Sequence, residues 1–213
     1  SIYNVYVGGI AGHNRGTIAQ CYNGNKVEGT PSQTYAYVGG ISGFNQSGTV
    51  TDCFNIGEVC GFATYPTASV SVGGISGDGY QQTVKNCYNV GNIHGKANYD
   101  LAYVGGVLGN LGNTPGSIAT NCYYLNNVEK GIGKGTDTCI QHTVDQMMQQ
   151  DTFAGFDFDT VWTMAGNTDY LYPELKNVPM HFNKKLEFIE VSTLPSKLEY
   201  LEGKDKLDVT GGK

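Results

Sequence analysis

The chain has 213 residues, 15% of them charged and 39% hydrophobic, with 31 glycines and a formal net charge of −6 at pH 7. Arg15 is the single arginine, which argues against a nucleic acid or an anionic membrane as partner, since both demand basic surface. No run of 18 apolar residues exists, so no membrane span is expected in this segment, and the length suits one or two domains.

In chain order, Tyr3 to Val7 alternate as a strand does and lead into Val7-Gly8-Gly9-Ile10. The pattern returns as Val38-Gly39-Gly40-Ile41, Val72-Gly73-Gly74-Ile75 and Val104-Gly105-Gly106-Val107, at offsets of 31, 34 and 32 residues. Self-similarity at such a period signals stacked supersecondary units. Val7 and Ile10 are three apart, so strict alternation puts them on opposite faces. Either a bulge or tight corner at the glycine pair turns both inward, using φ values that glycine tolerates, or one of the two faces a second layer.

The second half of each copy is more regular still. Thr17-Ile18 leads to Cys21-Tyr22-Asn23, Thr49-Val50 to Cys53-Phe54-Asn55, Thr83-Val84 to Cys87-Tyr88-Asn89, and Ser117-Ile118 to Cys122-Tyr123. A third run follows in three copies, ending Val27-Glu28-Gly29, Val59-Cys60-Gly61 and Ile93-His94-Gly95. One repeat therefore reads as three short β-prone runs between Gly and Asn turns.

Stacking places Cys21, Cys53, Cys87 and Cys122 in one ladder with neighbours about 4.8 Å apart. Buried thiols are the expectation, because free cysteine behaves as a small hydrophobe; disulfides between adjacent rungs are the alternative. Ligands this far apart do not read as zinc, and no cofactor or metal site is expected. Cys60 and Cys139 fall off the ladder. Cys60 shares its slot with Glu28 and His94, as a solvent-facing position would.

The copies differ most before each glycine pair, where Tyr35, Tyr65 and Tyr99 fall. Variable insertions of a solenoid map to one edge, so these tyrosines mark a candidate ligand edge, with plain solvated loop tips as the alternative.

Catalytic patterns fail one by one. His13, His94, His142 and His181 are scattered and none opens an H-E-x-x-H run. Gly131-Ile132-Gly133-Lys134-Gly135 lacks a following Lys-Ser/Thr and reads as a flexible linker. Thr143 to Gln150 is the one helical candidate, with Thr143 as N-cap and Asp145 in the first turn. Phe156, Phe158 and Trp162 then form the apolar face of a strand that plugs the last coil, with Asp157 and Asp159 opposite. Asp157 and Asp159 with Asp169 are also the one set that suggests paired carboxylates for glycoside chemistry, a reading set aside in favour of the cap.

At the VGG, Cys-Tyr and GxVxG landmarks the chain resembles the GLUG-motif repeats of bacterial cell-surface proteins, matched at residues 7–29, 38–61 and 72–95 and more loosely at 104–124. Residues 136–175 resemble the segment that closes such arrays: a short helix around a Met, an FxFxxxW strand and YPxL. Residues 186–209 look like the opening of a bacterial immunoglobulin-like module, too short for a complete sandwich.

The expectation is an all-β chain: a β-solenoid of about four repeats over residues 1–135, a helix-containing cap over 136–180 and a truncated Ig-like segment over 181–213. The resemblance implies a non-catalytic extracellular module, on the bacterial surface or secreted, serving as spacer or adhesin segment of a larger multidomain protein. A host or matrix protein or a glycan is the expected partner. The alternative is a carbohydrate-binding or carbohydrate-active β-helix. Because Ser1 begins inside the first repeat, an excised or mature fragment is expected.

Overall fold

Val7 lies beside Val38, Val38 beside Val72 and Val72 beside Val104, each pair in a parallel ladder, so the repeat offsets of the sequence are strand register. The computed structural model describes residues 4–31, 34–98, 102–112, 115–125, 127–164 and 170–180, all within a unit that ends at Met180. Tyr99, Asp169 and the whole Ig-like segment, His181 included, lie outside the described residues.

Four parallel sheets run along a β-solenoid. The first holds Val5–Gly8, Tyr35–Gly39, Ser69–Gly73 and Ala102–Gly105. The second holds Ala11–Asn14, Ser42–Gln46, Ser76–Tyr80, Leu108–Asn110 and Ile132–Lys134. The third is built on Thr17–Ala19, Thr49–Thr51, Thr83–Asn89, Ile118–Leu125 and Ile140–His142. The fourth has Val27–Gly29, Val59–Ala63 and Ile93–Ala97.

Three turns therefore carry all four faces. Among the described residues a fourth turn shows no strand on the last face and a fifth supplies two strands, so the array is about three full turns followed by two partial ones. Each of the first three repeats crosses four sheets where three runs are expected, because the first run bends at its glycine pair.

That bend explains the pair. Val38 and Val72 are fully buried in one apolar cluster, Ile41 and Ile75 in another, so both side chains point inward but into different halves of the core. The glycines of the pair are not in the left-handed region; what they supply is room. A Cβ on Gly39 would meet the Ser42 carbonyl oxygen at 2.0 Å, and one on Gly40 the Gly74 oxygen at 2.1 Å and the Asn55 side chain at 2.5 Å. Gly8 and Gly9, Gly73 and Gly74, and Gly105 and Gly106 are as tightly held. Conformational freedom is thus not why these positions are glycine.

The segment expected to be a linker is a rung. Leu108 pairs with Ile132 and Asn110 with Lys134, and Ile132 is 1% exposed against the core. Its glycines belong to the same packing: a Cβ on Gly133 would meet the Val104 nitrogen at 2.5 Å.

The helix is shorter than expected, Val144–Met147, but its capping box is present: Gln146 N donates to Thr143 Oγ1 at 3.3 Å and Thr143 N to Gln146 Oε1 at 2.9 Å. The cap does not plug the last coil. Trp162, Phe156 and Phe153 lie along the flank, against the stacked rings of Phe54, Tyr88 and Tyr123, with Phe158 partly buried beside them. Residues 158–161 are a turn, and only Trp162–Thr163 is strand, antiparallel to Glu174–Leu175. Asp157 serves that turn, accepting from the nitrogens of Asp159 and Thr160 at 2.9 Å each.

Candidate functional site

The residues before each VGG pattern lie on the face away from the core, and stacking makes these a column: Tyr6, Tyr37, Ser71 and Tyr103, of which Ser71 is covered to 2% exposure. The second sheet presents its own column beside it, His13, Phe44, Asp78, Asn110 and Lys134. At the first two rungs the columns are aromatic and packed: Tyr6 stacks on Tyr37 with centroids 5.5 Å apart, and Phe44 lies 5.3 Å from Tyr37 and 5.4 Å from Tyr6. At the third rung both change character together. Ser71 replaces a tyrosine and Asp78 replaces Phe44, and a cleft of about 250 Å³ opens there.

Tyr35 and Tyr37 line one end of the cleft, their rings parallel within 7° at 6.1 Å. Tyr103 lines the other, with the Lys134 ammonium 4.5 Å from its ring centroid and 3.3 Å from its hydroxyl. Thr67, Ser69 and Ser71 complete the lining, and Ser71 Oγ donates to the Gly77 carbonyl at 2.8 Å.

Among the described residues Asp78 is the cleft's one carboxylate, and it is only 9% exposed. Gly79 N donates to its Oδ1 at 2.6 Å and Asn110 Nδ2 to its Oδ2 at 3.1 Å. A carboxylate offers about four acceptor positions, so two such bonds leave it able to accept more. Burial pushes its pKa up to about 6, against the pull of Asn110, Gly79 and Lys134. Burial, then the Asp78 charge, raises the Tyr37 phenol, so Tyr37 keeps its proton and can donate.

Of the tyrosines expected at a ligand edge, Tyr35 reaches this cleft. Tyr65 sits on an exposed turn, 46% exposed, away from the cleft lining. Sequence reasoning missed Tyr37, Tyr103, Asp78, Asn110 and Lys134. The signal for the first two was the residue preceding each VGG pattern. Lys134 stayed hidden because its strand was read as a linker.

The cysteine ladder is present and longer than expected. Cys53, Cys87 and Cys122 are fully buried and Cys21 half-buried, and all are free. Each thiol donates to the carbonyl two residues earlier: Cys21 to Ala19 at 3.2 Å, Cys53 to Thr51 at 3.1 Å, Cys87 to Lys85 at 3.1 Å and Cys122 to Thr120 at 3.3 Å. Tyr123 pairs with Ile140, which puts Cys139 on the rung after Cys122, so Cys139 belongs to the ladder. Cys60 does align with Glu28 and His94, yet it is 2% exposed and not solvent-facing. Around that column Lys26 pairs with Glu28 at 2.8 Å and with Glu58 at 3.6 Å, and Glu58 lies 3.4 Å from His94.

The residue before each ladder cysteine, Gln20, Asp52, Asn86 and Asn121, is in the left-handed region with φ of 50° to 52°. The last three are joined: Asn121 donates to Asn86 at 3.1 Å, Asn86 to Asp52 at 3.2 Å, and Trp162 Nε1 also to Asp52 at 3.3 Å. A second groove, about 650 Å³ and more open, runs beside the Ile93–Ala97 strand and includes Lys96 and Lys130.

Among the described residues no group of three or more His, Cys, Asp or Glu is placed to hold a metal, and no helix is long and apolar enough to cross a membrane. The architecture defines a parallel β-solenoid with a laterally docked cap. Comparison with known proteins matched the chain to no family model, no curated protein and no solved structure.

Proposed function

We propose that this chain is a non-catalytic, rod-like module of a bacterial surface or secreted protein, a spacer or adhesive segment built from GLUG-type repeats and continuing into an Ig-like stalk. The observation that carries the reading is how the outward polar positions are spent. Asn121 bonds to Asn86, Asn86 to Asp52, and Asp52 to Trp162, and among the described residues the 250 Å³ cleft is lined by one carboxylate. Glycoside hydrolysis by acid and nucleophile or base needs two, about 5 to 9.5 Å apart. Extracellular placement and the larger parent rest on the repeat and Ig-like resemblances.

Incubation of the purified chain with host glycans, mucin, matrix proteins and a panel of polysaccharides tests this. Retention of one of these without new reducing ends or unsaturated products is the expected result. Reproducible turnover of any polysaccharide overturns the reading.

The alternative with a specific observation behind it is carbohydrate binding, favoured by the tyrosines and the hydrogen-bonding groups that converge on the cleft.

A further inference from the structure

We propose that the cleft between Tyr37 and Tyr103 binds one neutral pyranose ring, held edge-on over Ser71 with its hydroxyls on Asp78 and Asn110. The proposal extends the reading of the chain as a non-catalytic module, in that the sugar is held and not cleaved.

The argument begins with spacing. Along the outward column, side chains one rung apart stack: Tyr6 and Tyr37 have centroids 5.5 Å apart and planes 16° from parallel. Tyr37 and Tyr103 are two rungs apart, with Ser71 between them. Two strand spacings come to about 9.6 Å. A flat six-membered ring between them would sit about 4.8 Å from each, within the range at which rings stack. With a serine in place of the tyrosine at this rung, the cleft lies between the two tyrosines, and Ser71, 2% exposed, forms part of its floor. Lys134, one rung beyond Tyr103, lies over that ring and also lines the cleft, so its ammonium is available to the bound ring.

Aromatic walls alone would suit any flat apolar group. The side wall decides against that. Asp78 is nearly buried, and desolvating it is costly unless it is hydrogen-bonded. Gly79 and Asn110 use about half of its acceptor capacity. A pair of vicinal hydroxyls supplies the donors that the remaining positions accept, while the Tyr37 hydroxyl and the Lys134 ammonium supply donors to sugar oxygens. Charge selects further. An acidic sugar meets the Asp78 carboxylate, and an amino sugar meets Lys134, so the neutral pyranose is the class that fits.

The test uses the whole chain, with methyl glucopyranoside, methyl galactopyranoside, methyl mannopyranoside and methyl glucuronide as probes, read by saturation-transfer NMR and titration at pH 7.5. At least one neutral pyranoside is expected to bind and the glucuronide not to. Ser71→Tyr extends the aromatic column through the gap and is expected to abolish binding while unfolding at or above the wild-type temperature. Asp78→Asn is expected to weaken binding at least about tenfold. Affinity should also fall as pH drops below about 6, where Asp78 takes up a proton; Lys134 and Tyr37 are the titratable groups that face it. No binding by any neutral pyranoside, preferential binding of the glucuronide, or affinity unchanged in a folded Ser71→Tyr protein overturns the proposal. Those failures leave the non-catalytic reading standing, whereas cleavage of a bound glycan would sink that reading and leave the site intact.

Discussion

The indole nitrogen of Trp162 donates to Oδ1 of Asp52 at 3.3 Å, across 110 residues of chain. The same oxygen accepts from Asn86 at 3.2 Å, and the indole itself is fully buried beside Phe54, Tyr88 and Phe156. The C-terminal segment is therefore tied to the second turn of the rod and covers its aromatic flank. Trp162→Ala should cost about 3 to 5 kcal/mol, the usual range for truncating a buried large aromatic. Trp162→Phe keeps most of the packing and should cost about 1 to 3 kcal/mol, with Asp52 still bonded to Asn86 and Thr51. Denaturant unfolding followed by near-ultraviolet circular dichroism measures both. An unchanged midpoint in Trp162→Ala would mean that the flank does not depend on the cap.

Asn23, Asn55 and Asn89 form a buried ladder: Asn23 Nδ2 donates to Asn55 Oδ1 at 2.7 Å and Asn55 Nδ2 to Asn89 Oδ1 at 2.7 Å. Asn55 Nδ2 also reaches the Gly57 carbonyl at 2.7 Å, closing the turn that follows. Tyr124 takes the fourth slot and ends the ladder. Asn55→Leu is close in volume but leaves the Asn23 amide, the Asn89 oxygen and the Gly57 carbonyl short of a partner. Asn23 Nδ2 keeps the Asn25 carbonyl and Asn89 Oδ1 keeps the Gly91 nitrogen, so the loss should be about 1 to 3 kcal/mol, the cost of leaving one buried group unpaired. Thermal unfolding decides it, and a loss below about 1 kcal/mol would show that water replaces the ladder.

The columns were legible because repetition exposes them. Val7, Val38, Val72 and Val104 align by eye, and stacking follows from the period. The fifth turn was not legible. Ile132 pairs with Leu108 at an offset of 24 and Ile140 with Tyr123 at 17, because these last rungs skip two faces, and a shortened coil no longer carries the period. The cap's place was equally hidden. Phe156 and Trp162 announce an apolar surface, but whether it meets the end or the flank depends on the Phe54 and Tyr88 rings that lie outward of the core. The cleft needs a different kind of reading. Ser71 and Asp78 are unremarkable singly; aligned with Tyr37 and Phe44 they are the two places where a packed aromatic column stops.

Asp78 makes stability depend on pH in a stated direction. Its pKa rises from 3.8 to about 6 on folding, chiefly through burial, so the native state holds the proton more tightly than the unfolded one. Its contribution is fully present below about pH 4 and is lost as pH climbs through 6. At 1.36 kcal/mol for each pH unit, ionisation costs the fold about 2 to 3 kcal/mol at pH 7. Asp78→Asn should accordingly raise the unfolding midpoint at pH 7 and leave it nearly unchanged at pH 4. A variant less stable than wild type at pH 7 would show that the bonds from Gly79 and Asn110 outweigh the desolvation.

Cys122 and Cys139 occupy successive rungs although they lie only 17 residues apart. A hydrogen bond with Cys122, then burial, keeps Cys139 well above the ordinary thiol range, and burial first of all does the same for Cys87. The thiolate is the reactive form, so Cys87 should resist iodoacetamide at pH 8 over a period in which the unfolded chain is fully alkylated. All six cysteines are free, so unfolding without reductant should release six titratable thiols. Mass spectrometry of the alkylated peptides reads both outcomes. Fewer than six thiols in the unreduced, unfolded protein would mean that adjacent rungs are bridged. Rapid labelling of Cys87 in the native protein would mean that the rod opens locally at its third turn, where the ladder is otherwise shut on both sides by Cys53 and Cys122.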